Sequence, residues 1–389
     1  MDALSRYVDS IPAAKLLSQS IATLVDAQRQ AAGARLISLE LPWWFGAIAL
    51  QLIVLFYFWR SGAAARLRDA LRQRFESEFA VRFVFGAVLA LLARAAAAIP
   101  SFILWRIDRL MGLSHALTRV WAYEYALDTI LGMLVAGLIA AIVLWLVERT
   151  HQWYLYTIAA ILAISLLGTM AAPVAIAPLF ERYVPLTGTV AARASAFAAQ
   201  HGYAGIPIVV EHRIDRIPVD AAKVQGMGQT QRIVLADTLV GAATPAEIEF
   251  YVADDLAMLD DRDPLCLALI DAGILIVAVA LAVVVADRIP FRRDDDPISR
   301  LTLVGALLAL VYVGAVPVDH SVAASMQLRA DREAVAMTGD RASALRAFVR
   351  AGDERIEQVC PSLGRIFLYQ APSLGERAAA VGGPSPGCR

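Results

Sequence analysis

The chain has 389 residues, of which 59% are hydrophobic and 18% charged, and its mean hydropathy is +0.59. That composition excludes an ordinary soluble domain and predicts a multi-pass membrane protein. With a net charge of −1 the chain has no general attraction for polyanions, so no nucleic-acid partner is expected.

In chain order, residues 1–41 lack a stretch apolar enough to span. Leu17, Ile21, Leu24 and Val25 recur at helical spacing and predict an amphipathic segment lying at the membrane interface. Asp2 and Asp9 interrupt the start with no apolar run behind them, so no secretory leader is expected. Four spans are predicted over Trp43–Trp59, Phe83–Trp105, Leu127–Val147 and Trp153–Ile176, making residues 42–177 one transmembrane unit. Each is near the roughly 20 apolar residues that a bilayer requires. A polar domain follows over residues 178–264, with Ile206–Glu211 and Arg232–Leu235 as strands and Gly226-Met227-Gly228 as a tight bend. Leu265–Ala286 and Leu301–Val316 supply two more spans within residues 265–316. Residues 317–381 read as a helical, polar C-terminal part that packs back on the polar domain, and 382–389 (GGPSPGCR) as a flexible tail. The fold class is therefore an α-helical multi-pass membrane protein with a small α+β polar domain.

The chain is organised around Thr244–Pro264, TPAEIEFYVADDLAMLDDRDP. Thr244 as N-cap, Pro245 at the first helical position and Glu247 three residues on make a strong helix start. Asp254 and Met258 stand one turn apart on that helix, with Asp255 beside them. A zinc peptidase of the H-E-x-x-H kind needs histidine, glutamate and histidine at such positions. Around this helix lie Ala222–Val240 (AKVQGMGQTQRIVLADTLV), Gln327–Asp340 (QLRADREAVAMTGD) and Ile366–Arg377 (IFLYQAPSLGER). Upstream are Met111–Ser114 (MGLS), Trp121, Asp128 and Ala177–Leu186 (APLFERYVPL). In this order and spacing they resemble the CAAX-prenyl-protease-type integral-membrane zinc metallopeptidases, from about Arg106 to Val381.

The resemblance implies a gluzincin-like polar domain whose metal motif is degenerate. The family's two histidine ligands fall on Asp254 and Met258, its general-base glutamate on Asp255 and its glutamate ligand on Gln327. The aspartate behind the ligands is kept as Asp331. The asparagine of the substrate-side strand falls on Ala221, and a serine–arginine pair on Ala323 and Ala324. The histidine of a later segment falls on Ala371, while Pro372, Ser373, Glu376 and Arg377 remain. Zinc is held by thiolate, imidazole and carboxylate, and a carboxylate, a thioether and an amide do not make such a set. None of the five histidines falls on a ligand position. No cofactor is predicted, although zinc is implied for active relatives.

The reading that follows is a catalytically inactive homologue that binds or scaffolds a membrane-proximal polypeptide, a lipidated chain or a partner protein. Gln225, Gly226, Met227, Gly228 and Arg377 are the candidate binding residues, since an exposed sheet edge can take up an extended peptide without catalytic groups. The alternatives are an active membrane metalloendopeptidase or hydrolase with a relocated site, and a structural membrane subunit whose partner is lipid alone. The acidic run Asp254, Asp255, Asp260, Asp261 and Asp263, with Asp331 opposite, suits either a hard cation or arginine partners such as Arg262, Arg329 or Arg332. Arginine pairing is the favoured of the two. Arg94 and Asp271 fall inside predicted spans, where a charge costs about 2.5–3.5 kcal/mol, and are expected to pair or to face water. Cys266, Cys360 and Cys388 show no metal-like spacing, and Cys266 reads as a packed thiol. The arginine-rich loops 60–82 and 287–300 share one face if there are six spans. The charge rule puts them in the cytoplasm, whereas the resemblance puts the polar domain there. Because large domains weaken the charge rule, the expectation is a bacterial cytoplasmic membrane with the polar domain cytoplasmic.

Overall fold

The structure is a computed structural model, and residues 7–212, 222–290 and 296–388 are described. Among these, six helices are long and apolar enough to cross a membrane: Ala27–Arg60, Glu78–Leu110, Thr118–Arg149, Trp153–Phe180, Asp263–Arg288 and Pro297–Thr338. Each contains a predicted span and runs past it, because the polar turns that flank the apolar stretch stay helical. The fourth continues through a π-helical turn at Ala172–Ile176 that contains Pro173. Neighbouring spans pack in a closed ring, first on second, second on third, and so on until the sixth returns to the first. Small residues permit the closest approach. A Cβ on Gly86 would fall 2.5 Å from that of Ala140, and one on Gly137 would fall 2.7 Å from the Phe83 carbonyl oxygen.

The described residues of loops 60–82 and 287–300 lie on the same face of this ring, where Asp296 accepts ion pairs from Arg68 (3.0 Å) and Arg72 (3.5 Å). Arg94 is paired with Asp128 on the neighbouring span and lies over the Tyr125 ring. Asp271 shares a hydrogen bond with Asp319. Of the two alternatives, mutual pairing of Arg94 and Asp271 is not what occurs, since each group finds a partner on the helix it packs against.

On the other face lies a four-stranded sheet in the order β1 (Tyr183–Pro185), β2 (Ile208–Glu211), β4 (Arg232–Ala236), β3 (Ala222–Gln225). β2 and β4 are parallel, with Ile208 opposite Ile233 and Val210 opposite Leu235, and the other pairings are antiparallel. The helix Pro245–Asp260 packs behind the sheet. Its start is as the sequence predicts: the Thr244 hydroxyl accepts from Glu247 N, and Glu247 accepts from Thr244 N at 2.8 Å. Ile233, Leu235, Ile248, Phe250, Leu256, Phe348 and Leu374 are fully buried in one core. The described residues of 178–264 therefore share one core with the helices of 317–381.

Two expectations about the ends of the chain are corrected. The N-terminal segment does not lie on the membrane interface. Val8, Ile11, Leu16, Ile21, Leu24 and Val25 are buried in the core of the polar domain, and Asp9 pairs with Arg350 at 2.6 Å. An amphipathic stripe is satisfied equally by lipid or by a protein groove, and here it meets the helices Arg341–Glu354 and Leu374–Ala380. Nor is the tail loose. Cys388 is disulfide-bonded to Cys360, Gly383 N donates to Ala378 O at 2.8 Å, and Pro386 packs against Gly375.

Candidate functional site

The positions that stand for a metal-binding motif do converge. Asp254 on the helix Pro245–Asp260 faces Gln327 on the sixth span's polar extension. The Gln327 amide nitrogen donates to both Asp254 oxygens, at 3.0 and 2.8 Å, and lies 3.4 Å from Asp331 Oδ1. Asp331 is fully buried and is held by Arg377, whose Nε and Nη2 donate to its two oxygens at 2.8 and 2.6 Å. The Arg377 guanidinium also lies over the Phe348 ring, 4.6 Å from the centroid. Expected on the substrate side, Arg377 is instead the internal counter-ion of Asp331, and it is only 5% exposed.

Electrostatics follow from this burial. Asp254 is pushed up to about 8, first by removal from water and then by the Asp331 carboxylate, with Arg377 and Gln327 opposing. Asp255, where the resemblance implies a general base, is raised well above the usual carboxylate range by burial and by Asp254. Its Oδ2 has no hydrogen-bond partner among the described residues. The cluster thus sets two carboxyls, both shifted towards the protonated form, beside one amide and one internally neutralised ion pair. Met258 is half-buried one turn beyond Asp254. Among the described residues, no group of three or more histidine, cysteine or acidic side chains is arranged to hold a metal ion. The donors present do not suit zinc: Gln327 spends its amide hydrogens on Asp254, and Met258 offers only a thioether. The nearby acids Asp261 and Asp263 are paired with Arg329, at 2.5 and 2.6 Å.

Among the described residues β3 is a terminal strand bonded to β4 alone, and it packs beside the helix Pro245–Asp260. Gln225 ends it, and the Gln225 side-chain oxygen accepts two hydrogen bonds from Arg232. Gly226 turns the chain with φ +85°, and a Cβ there would come within 2.2 Å of the Thr230 carbonyl oxygen, so glycine is required. Met227 and Gly228 line a cavity of about 390 Å³. Ala221 lies outside the described residues. Ala371 lines a larger cavity of about 860 Å³ between the first two spans and the polar domain. Asp108, Glu211 and Tyr369 also line it, and this volume is within the range of small-ligand pockets.

Sequence reasoning missed three contributors. Glu40 and Asp108 share a hydrogen bond, and Tyr369 Oη donates to Glu40 at 2.8 Å, joining two spans to the segment that carries Ala371. Glu247 not only caps its helix but accepts from Arg350 Nε at 3.0 Å in full burial. The Cys360–Cys388 bond ties the tail beside the segment that holds Arg377. Only the last had a visible signal, since these two cysteines lie outside every apolar stretch.

Residues 44–182 match the family described as CAAX prenyl protease N-terminal, five membrane helices. A Bacillus subtilis (strain 168) protein named uncharacterized metalloprotease YhfN is 22% identical over 349 residues, which cover 86% of this chain and 80% of that protein. By these matches the chain is similar to membrane metallopeptidases of the CAAX-prenyl-protease type. The crystal structure of S. mikatae Ste24p has the same fold, with a TM-score of 0.66 at 14% identity, covering 94% of this chain and 99% of that one. The expected fold class, helical spans with a small mixed sheet in the polar domain, agrees with this likeness.

Proposed function

We propose that this CAAX-protease-type chain is a pseudopeptidase of a bacterial cytoplasmic membrane, and that it binds or scaffolds a membrane-proximal polypeptide. One observation carries the reading. Where a metal peptidase would place its ligands, Gln327 is bonded to Asp254, and the carboxylate behind them already has a cation in Arg377. An amide engaged with a carboxylate and a thioether at Met258 are a poor donor set for the zinc that would lower the pKa of a bound water, which supports the non-catalytic reading. Binding needs no metal. The open edge of β3 offers backbone donors and acceptors to an extended segment, and the 860 Å³ cavity gives room for a side chain or lipid group. Lipid and a polypeptide or lipidated chain are therefore the proposed partners, and no resident cofactor is proposed.

The test uses the purified full chain. Elemental analysis should find no stoichiometric zinc, chelators should leave thermal unfolding unchanged, and general protein substrates should stay intact. A photo-reactive residue in place of Met227 should crosslink to polypeptide in native membranes. Zinc near one per chain, or chelator-sensitive proteolysis, would overturn the reading. Crosslinks to lipid alone would favour a structural subunit.

A further inference from the structure

We propose that the polar domain stands in an oxidising, extracytoplasmic compartment, on the membrane face opposite the arginine-rich loops. The polypeptides it can meet are then extracytoplasmic ones, the reverse of the placement that family resemblance implies.

Two independent observations lead there. The first is the Cys360–Cys388 disulfide, which closes the C-terminal part of the polar domain. Disulfides persist in oxidising compartments and are rare where cytosolic thiol systems keep cysteines reduced. This bond is part of a built structure. It anchors a tail that also makes a backbone hydrogen bond to Ala378 and packs Pro386 on Gly375.

The second is the placement of charge. The helix Ala63–Arg74, between the first two spans, carries Arg66, Arg68, Arg72 and Arg74. Its contacts with Asp296 make it one surface with the loop between the fifth and sixth spans, which adds Arg288, Arg292, Arg293 and Arg300 in sequence. On the polar-domain face the short connection 111–117 has no arginine or lysine, with Arg106, Arg109 and Arg119 in the flanking helix ends. Short loops rich in arginine are retained on the cytoplasmic side. The N-terminal segment and the C-terminal helices share one core, so both ends of the ring's polar side go to the opposite compartment together. The placement holds whether or not the chain cleaves polypeptides.

Both arms of the test use the full chain in native membranes. In the first, thiols are trapped with acid, and the denatured protein is labelled with a mass-tagged maleimide. One tag, on Cys266, is expected without reductant and three with it; three tags without reductant would overturn the proposal. In the second, a cysteine is added at an exposed position in a Cys266→Ser background, either Ser195→Cys in the polar domain or Gln73→Cys in the arginine-rich loop. A membrane-impermeant maleimide should reach Ser195→Cys in intact spheroplasts, and Gln73→Cys only after permeabilisation. The opposite pattern would overturn the placement even if the disulfide were present.

Discussion

Asp331 has no contact with water and takes its charge balance from a single side chain, Arg377. Removing that cation leaves a buried carboxylate uncompensated, so Arg377→Met should cost about 3–5 kcal/mol in unfolding measurements. The double variant Arg377→Met with Asp331→Asn should recover much of that loss. Asp254 gives a pH signature. Its folded-state pKa, about 8, lies above the ordinary aspartate value, so the folded chain binds a proton that the unfolded chain has released. The stabilisation is full below pH about 4 and fades as pH rises towards 8, amounting to at most about 6 kcal/mol. Thermal unfolding of the wild type should therefore fall over that window, and Asp254→Asn should flatten the slope. That Asp254 and Gln327 would face each other was expected from the register of the sequence resemblance, and they do. The task of Arg377 was not legible, because its partner is 46 residues away and is chosen by packing.

The helix Pro245–Asp260 was readable almost to the residue, since Thr244, Pro245 and Glu247 form a local signal that needs no tertiary context. Thr244→Ala should cost about 1 kcal/mol. Glu247→Gln should cost more, because Arg350 is buried against it. The N-terminal segment was misread for the complementary reason: periodicity gives the apolar side of a helix and not what covers it. Deleting residues 1–26 should destabilise the polar domain and raise its protease sensitivity, whereas an interfacial segment could be lost without that effect. Helix facing also permits a gain-of-binding experiment. Asp254 and Gln327 touch at 2.8 Å, so Asp254→His, Asp255→Glu, Met258→His and Gln327→Glu together place two imidazoles and a carboxylate around one point. The quadruple variant should take up zinc, read by elemental analysis. Peptidase activity should not return, since Ala371 offers no polar group to a substrate carbonyl.

At the scale of the molecule, the number and order of spans followed from hydropathy, but their closure into a ring did not, because lipid and a neighbouring helix are equally apolar. One component of that ring does more than span. The helix Pro297–Thr338 has 42 residues. At 1.5 Å per residue it is about 63 Å long, roughly twice the hydrocarbon thickness of about 30 Å. Its first half is fixed in lipid and its second half carries Gln327 and Asp331. Between them sits Pro317, which cannot donate to the helical ladder and marks a natural bending point. Gln327 lies about 15 Å beyond that point, so a bend of roughly 5° moves it by about 1.3 Å. That displacement is enough to part it from Asp254. The bilayer and the buried acids are thus joined by one continuous helix, and the tilt of the span and the reach of Gln327 are geometrically coupled.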